Sequence, residues 1–218
     1  MNYNWSVIPK FMDILLKGIL LTMQISAISL ILAIPIGIIV GLMRVSKNKA
    51  VYSLSSVYVE IIRGVPLLVL LLWIYFGLGQ VVKLGAYWSG ALSLAIFSSA
   101  FIAEIVRSGI ESIPRGQVEA ARSSGMTYSQ AMRLVILPQA IRTVLPPMAS
   151  QFILLIKDSS LVSTISVVEL TLTAKNIIAT SFRPMEIWTF VALLYFIVTF
   201  TLSKIIQFFE KKYKFGNS

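Results

Sequence analysis

One uncharged stretch decides what kind of fold this chain can adopt. Residues 19–43 contain no Asp, Glu, Lys or Arg, and they exceed the roughly 20 apolar residues that a helix needs to cross the hydrocarbon core of a bilayer. Pro35 and Gly37 lie inside this stretch, and membrane helices tolerate such residues where neighbouring helices satisfy the freed backbone groups. The sequence therefore predicts a transmembrane helix here, in an integral membrane protein.

The composition agrees with this prediction and argues against several other classes. Only 13% of the 218 residues are charged and 57% are hydrophobic, which leaves too few charges to cover a water-facing shell. The chain has no cysteine and no histidine, so thiolate catalysis, disulfides and the commonest metal ligand and general base are unavailable to it. We therefore expect neither an enzyme nor a metal site. The net charge of +10 is dispersed between apolar stretches, which favours membrane orientation over nucleic-acid binding.

Four further apolar stretches predict an all-α integral membrane fold with five transmembrane helices in a single domain, residues 1–218. The predicted spans are residues 19–43, 58–80, 88–107, 145–158 and 187–206. Residues 64–66, Gly-Val-Pro, interrupt the second span, and residues 176–184 are polar enough for a loop. Residues 1–10 lack the layout of a cleavable signal peptide, so we expect a mature N-terminus.

Lysine and arginine residues predict the orientation in the cell membrane. Five spans place the two termini on opposite sides. About twice as many basic residues fall on the side that holds residues 44–49, residues 112–138 and the C-terminal tail Lys211-Lys212-Tyr213-Lys214. The positive-inside rule therefore predicts an outer N-terminus, a cytoplasmic C-terminus and a cytoplasmic loop at residues 112–138.

That loop has the pattern of a short docking helix. Pro114 and Gly116 break the preceding helix. Small residues then follow at helical spacing, namely Ala120, Ala121, Ser124 and Gly125. A helix with such a face can approach another backbone closely. Charged residues are interleaved with this face, so the pattern predicts docking in an aqueous protein groove rather than burial in lipid.

The same loop carries a family resemblance. Glu119-Ala120-Ala121, then Gly125, then Ile136-Leu137-Pro138 resemble the EAA loop of ABC importer permeases. In one departure, that pattern has one residue between its isoleucine and Leu-Pro, whereas here Ile136 directly precedes Leu137-Pro138. The resemblance implies that residues 112–138 couple the chain to a cytoplasmic ATPase. The implied coupling residues are Arg115, Gly116, Glu119, Ala120, Ala121 and Gly125.

Three more segments resemble the polar amino acid permeases that serve histidine, arginine and glutamine importers. They are Arg-Gly-Val-Pro-Leu-Leu-Val at residues 63–69, with valine for threonine, and residues 101–110 and 155–161. The resemblance implies a MetI-like, type I ABC importer permease with five spans and a short coupling helix. Its implied partners are a second permease subunit in a homodimer, two ATPase subunits, an extracytoplasmic amino acid binding protein and membrane lipid.

The chain has no Gly-rich Lys-Ser/Thr phosphate loop. We therefore expect ATP and magnesium on the partner ATPase and no cofactor on this chain.

Two acidic residues within the spans are candidates for substrate binding. A charged group at the centre of a span costs about 2.5–3.5 kcal/mol, so Glu104 and Asp158 should face a partner or a polar cavity. In one interpretation, Arg107 neutralises Glu104 and Lys157 neutralises Asp158. In the other, both carboxylates bind the cationic head of a basic amino acid. Further candidate lining residues are Phe97, Phe101, Ser98, Gln151 and Ser159.

These observations predict the permease of an importer for arginine, lysine or histidine. The alternatives are the same machinery for glutamine, cystine or an opine, or a protein of another class. An ATP-independent secondary transporter would leave the EAA loop unexplained. The five predicted spans also lack the doubled halves that are common in such transporters. In a membrane scaffold or receptor, Glu104 and Asp158 would have purely structural roles.

Overall fold

The computed structural model describes the backbone of residues 4–214 and the side chains of residues 4–209. The lysine side chains of the predicted basic tail lie outside these described residues. Every regular element within the described part is helical, which confirms the all-α fold class. The α-helices are α1 (Val7–Met43), α2 (Lys49–Gly64), α3 (Leu67–Trp73), α4 (Gly79–Val82), α5 (Gly85–Glu111), α6 (Arg115–Ser123), α7 (Tyr128–Ala131), α8 (Leu137–Asp158), α9 (Leu170–Ser181) and α10 (Pro184–Lys214). Two π-helical turns, Ile74–Leu78 and Met132–Ile136, and a 3₁₀ helix, Ser159–Ile165, complete the order.

By length and composition, three of the described helices can cross a membrane. They are α1, α5 and the Pro184–Phe209 part of α10, and a fourth results if α2 and the helical segment Leu67–Val82 count as one span. The predicted number of five is therefore not reproduced by this criterion. Helix α8, which contains the predicted fourth span, has 22 residues, but Arg142, Gln151 and Lys157 lower its hydropathy.

The second predicted span, residues 58–80, is not one straight helix. The two segments Lys49–Gly64 and Leu67–Val82 are bent by 104°. Val65 is extended, with φ −97° and ψ 133°, because a proline at the next position disfavours the α conformation of the residue before it. Pro66 then precedes the first residue of α3.

The chain divides into two compact units, and α1, α5 and α8 each contribute residues to both. The first unit comprises residues 1–31, 66–95 and 152–218. Its buried cluster joins apolar residues of α1, α9 and α10, among them Leu15, Leu170 and Ile187. Helix α1 begins at Val7, earlier than predicted, because residues 7–19 place an apolar stripe in this cluster while Lys10 and Asp13 remain exposed.

Helix α9 occupies much of the segment that the sequence predicted as a loop at residues 176–184. Its residues Leu170, Ala174 and Ile177 recur at helical spacing and are buried in the same cluster. The carboxylate of Glu169 caps the helix and accepts hydrogen bonds from the backbone N–H groups of Thr171 and Leu172, both at 2.9 Å. The hydroxyl of Tyr195 also donates to this carboxylate, at 3.1 Å.

The second unit comprises residues 32–65 and 96–151. Two glycines of α1, one turn apart, lie directly against α5. A Cβ atom built on Gly37 would lie 2.5 Å from Cγ2 of Ile102, and one built on Gly41 would lie 2.7 Å from Cβ of Val106. Such close backbone approach is the usual reason for small residues four apart in membrane helices.

Candidate coupling and substrate sites

Helix α6 presents most of the predicted coupling residues to solvent. Pro114 precedes its first residue, where the missing N–H of proline has no cost. Arg115, Gly116, Glu119 and Ala120 are exposed, as is Gly125 just beyond the helix. Ala121 is instead buried, with 6% of its surface exposed. Five of the six predicted coupling residues are therefore exposed, four of them on α6, while Ala121 packs within the second unit.

Gly125 ends α6 through a Schellman motif. Its φ is +84°, its N–H donates to the Arg122 carbonyl at 3.0 Å, and the N–H of Met126 donates to the Ala121 carbonyl at 3.2 Å. These two bonds satisfy carbonyls that the helix end would otherwise leave free. The left-handed backbone at this position favours glycine.

A second short helix follows, so residues 112–138 contain more than the single short helix predicted. Thr127 and Gln130 form a capping box that starts α7. The ammonium group of Lys47, in the α1–α2 connection, lies 4.5 Å from the ring centroid of Tyr128. The π-helical turn Met132–Ile136 then leads directly into α8.

An open cavity of about 470 Å³ lies within the second unit. It is lined by residues of α2, α5 and α8 and by Ser112, just after the end of α5. Its lining residues are Arg63, Phe101, Glu104, Ile105, Ser108, Gly109, Ser112, Thr143, Pro147 and Gln151. Three predicted substrate-binding residues, Phe101, Glu104 and Gln151, are therefore brought together here.

The Glu104 carboxylate is surrounded by guanidinium groups. Arg107 donates to Oε1 of Glu104 from Nε at 3.1 Å and also from Nη2. Arg44 Nε lies 3.8 Å and Arg63 Nη1 lies 3.9 Å from Oε2. Arg107 also pairs with Glu111. The pairing of Glu104 with Arg107 that the sequence allowed is thus present, together with two arginines from more distant parts of the chain.

Arg44 and Arg63 are the members of this cluster that the sequence did not reveal. Arg44 follows the end of α1, in the segment 44–49 that contributed only to the predicted orientation, and it lies 60 positions from Glu104 along the chain. Arg63 lies three residues after Glu60, a spacing at which two side chains on a helix can pair. In the structure Glu60 is exposed, and Arg63 extends towards Glu104.

The remaining predicted residues fall in two places. In the second unit, the ring of Phe97 packs against that of Phe101 with centroids 5.1 Å apart, and Ser98 is buried. Asp158 and Ser159 belong to the first unit. There Asp158 is the last residue of α8 and is partly exposed, and the buried Ser159 hydroxyl donates to the Ile156 carbonyl at 2.9 Å.

Comparisons with known proteins agree with the helical fold. Residues 33–215 match the family model described as the inner membrane component of binding-protein-dependent transport systems. The chain is 39% identical over 210 residues to the probable glutamine ABC transporter permease protein GlnM of Bacillus subtilis (strain 168), covering 96% of this chain and 97% of that protein. It is 36% identical over 217 residues to the glutamine transport system permease protein GlnP of Escherichia coli (strain K12), covering 98% and 99% of the two chains.

The nopaline transport system permease protein NocM of Agrobacterium fabrum is 38% identical, with 90% of this chain and 86% of that protein covered. A solved amino acid ABC transporter with histidines superposes with a TM-score of 0.92 at 39% identity, covering 97% of this chain and all of that one. The methionine transporter MetNI has the same fold, with a TM-score of 0.75 at 22% identity and 91% of this chain covered. The chain therefore belongs to the family of inner membrane components of binding-protein-dependent transport systems, as a MetI-like permease of the amino acid ABC transporter type.

Proposed function

We propose that this chain, paired with a second copy of itself, imports a polar amino acid with energy from two cytoplasmic ATPase subunits that dock on α6. An extracytoplasmic binding protein delivers the solute, and ATP and magnesium bind to the ATPases. The N-terminus lies outside and the C-terminus lies in the cytoplasm. The observation that carries the coupling role is the exposed face of α6 (Arg115, Gly116, Glu119 and Ala120) and its fixed end at Gly125.

The charge around Glu104 supports a neutral polar solute such as glutamine. This carboxylate already has three guanidinium groups within 4 Å, so a cationic head would have to displace or approach like charges. Two relatives named for glutamine transport agree with this choice. Gln151 lies in the same cavity, and its amide can both donate and accept hydrogen bonds.

A basic amino acid is the second candidate, because Glu104 and Asp158 are acidic and partly exposed. In this case the Glu104 carboxylate, with help from Phe97, Phe101 and Ser98, pairs with the guanidinium or ammonium group of a solute in the second unit, and Asp158 with Ser159 would do so separately in the first unit. A carboxylate pairs well with such heads when the geometry permits two hydrogen bonds.

The experiment that separates the two candidates is ATP hydrolysis by the permease–ATPase complex in lipid, with arginine, lysine, histidine, glutamine and glutamate added in turn. For a glutamine permease we expect stimulation by glutamine that survives Glu104→Gln. For a basic amino acid permease we expect stimulation by arginine or lysine that the same substitution removes. Glu60→Gln is the matched control, because Glu60 is an exposed acid of α2 that does not line the cavity.

The coupling proposal has its own test. The permease is reconstituted in vesicles together with its binding protein, with and without its ATPase subunits, and uptake of labelled glutamine and arginine is measured. Uptake that requires both ATP and the ATPase subunits supports the importer. Equal uptake without the ATPase would contradict it and would favour a secondary transporter.

A further inference from the structure

We propose that Arg63 binds the α-carboxylate of the transported amino acid, in the cavity between α2, α5 and α8. This inference rests on the proposed amino acid substrate. It names the protein group, the guanidinium of Arg63, that binds the carboxylate end of that substrate. The sequence did not suggest Arg63 as a substrate-binding residue.

The first step is the charge of the cavity. Arg63 and Glu104 are the charged residues among its described lining. Glu104 lies beside Arg44, Arg63 and Arg107, and Arg107 also pairs with Glu111. Three guanidinium groups against two carboxylates leave one positive charge in this cluster. An anionic group of the solute is therefore favoured over a cationic one.

The second step is the availability of each guanidinium group. Arg107 already donates three hydrogen bonds to Glu104 and Glu111. The Arg44 side chain is only 12% exposed and does not line the cavity. Arg63 is 42% exposed, and its 3.9 Å approach to Glu104 is longer than a hydrogen bond. Among the described residues, Arg63 is thus the arginine of this cluster with N–H donors available to a solute.

The third step is orientation. The guanidinium carbon of Arg63 lies 5.2 Å from the ring centroid of Phe101. Contact of a guanidinium with an aromatic ring limits its rotation while leaving its edge N–H groups able to form the two parallel bonds that a carboxylate accepts. Phe101 also lines the cavity, so the ring and the guanidinium lie on one wall.

The fourth step is the opposite end of the solute. Besides Arg63 and Glu104, the polar side chains of the cavity are neutral, namely Ser108, Ser112, Thr143 and Gln151. Those groups suit an uncharged polar side chain rather than a second carboxylate. The cavity therefore fits a solute with one carboxylate, held by Arg63, and a neutral hydrogen-bonding group.

The test measures equilibrium binding to the permease–ATPase complex in lipid nanodiscs, without a binding protein whose own selectivity would intervene. The probes are glutamine and arginine, each compared with the amine that lacks its α-carboxylate, 4-aminobutanamide and agmatine. We expect the wild-type complex to prefer each amino acid over its amine. In Arg63→Gln this preference should fall by about tenfold or more, as expected for loss of a charge-assisted pair, while binding of the amines should change little.

Two further variants make the test specific. Lys49→Gln removes one positive charge from an exposed site on the same helix and should retain the wild-type preference. Arg63→Lys keeps the charge but loses the planar fork, so its preference should lie between those of wild type and Arg63→Gln. This variant also provides the answer if Arg63→Gln does not fold.

The outcomes are distinguishable. If Arg63→Gln retains the wild-type preference, or if amino acid and amine are weakened equally, the role of Arg63 is overturned while the amino acid permease stands. If the assembled wild-type complex binds neither glutamine nor arginine better than the corresponding amine, the inference also fails. If the wild-type complex, reconstituted in closed vesicles together with its binding protein, in addition shows no ATP-dependent uptake of any amino acid, the proposed function fails as well.

Discussion

Replacement of Gly125 by alanine should weaken coupling to the ATPase through the backbone alone. A Cβ atom at this position would meet no other atom within 4 Å, so the substitution causes no steric clash with neighbouring residues. Its φ of +84° is nevertheless a conformation that L-residues with a side chain rarely adopt. The substitution must either hold alanine in this conformation or release the end of α6.

The size of the effect follows from that geometry. A left-handed backbone costs a residue with a Cβ atom about 1–2 kcal/mol, and each 1.4 kcal/mol is a factor of ten in an equilibrium. If the chain relaxes instead, the hydrogen bond from Met126 N–H to the Ala121 carbonyl is lost. Either way, the population with the native end of α6 should fall by roughly 5-fold to 30-fold. Gly125→Asn should lose less, because asparagine enters the left-handed region more readily.

The assay is the affinity of the purified permease for its ATPase subunits, together with solute-stimulated ATP hydrolysis. Gly85→Ala is the matched control, because Gly85 has φ +70° and equally open surroundings but lies outside the coupling segment. We expect Gly125→Ala to weaken ATPase binding by about the calculated factor and Gly85→Ala to leave it unchanged. Unchanged binding and hydrolysis in Gly125→Ala, or equal losses in the alanine and asparagine variants, would refute the backbone argument.

Three further substitutions should change thermal unfolding of the purified protein in detergent. Gly109→Ala should destabilise by about 1–3 kcal/mol, because its Cβ atom would lie 2.2 Å from Cγ2 of Val144; a Val144→Ala partner that brings no recovery would contradict this. Tyr195→Phe should cost about 1 kcal/mol, since Glu169 loses one of its donors; an unchanged melting temperature would argue that this bond is energetically neutral. Asn48→Ala removes the side chain that accepts from Ala50 N–H at 2.9 Å at the start of α2 and should cost about 1 kcal/mol, whereas Asn48→Asp should be nearly neutral.

Hydropathy alone predicted the helical class and the approximate positions of the apolar helices, but not their ends. Residues 7–18 contain three charged residues, which lower the hydropathy averaged along the chain. Hydropathy therefore misses this first part of α1, although its buried apolar residues recur with the same helical period as the rest of the helix. Helix α9 was missed for a similar reason, because only one face of it is apolar. Residues 64–66 predicted an interruption, yet no local pattern specifies the 104° bend, which depends on what the two segments pack against.

The site was predictable in proportion to how local its contacts are. The Glu104–Arg107 pair follows from a spacing of three on one helix, and the exposed face of α6 follows from its small and charged residues. The approach of Arg44 and Arg63 to Glu104 depends on tertiary packing of helices that are distant in sequence. For this reason the sequence identified an acidic residue in a span but not the positive charge that surrounds it.

The glycine contacts between α1 and α5 also limit how this sequence can change over evolutionary time. Even alanine at Gly37 or Gly41 would place a carbon less than 3 Å from both a side chain and a backbone carbonyl of α5. Alanine at Ile102 or Val106 would not remove the side-chain conflict, because the Cβ atoms of these two residues themselves lie only 2.6 Å and 2.7 Å away. The carbonyl conflicts, with Ser99 and Ala103 respectively, would also remain. These two glycines therefore cannot be exchanged one at a time, and homologues that lack them should show a wider spacing of the two helices.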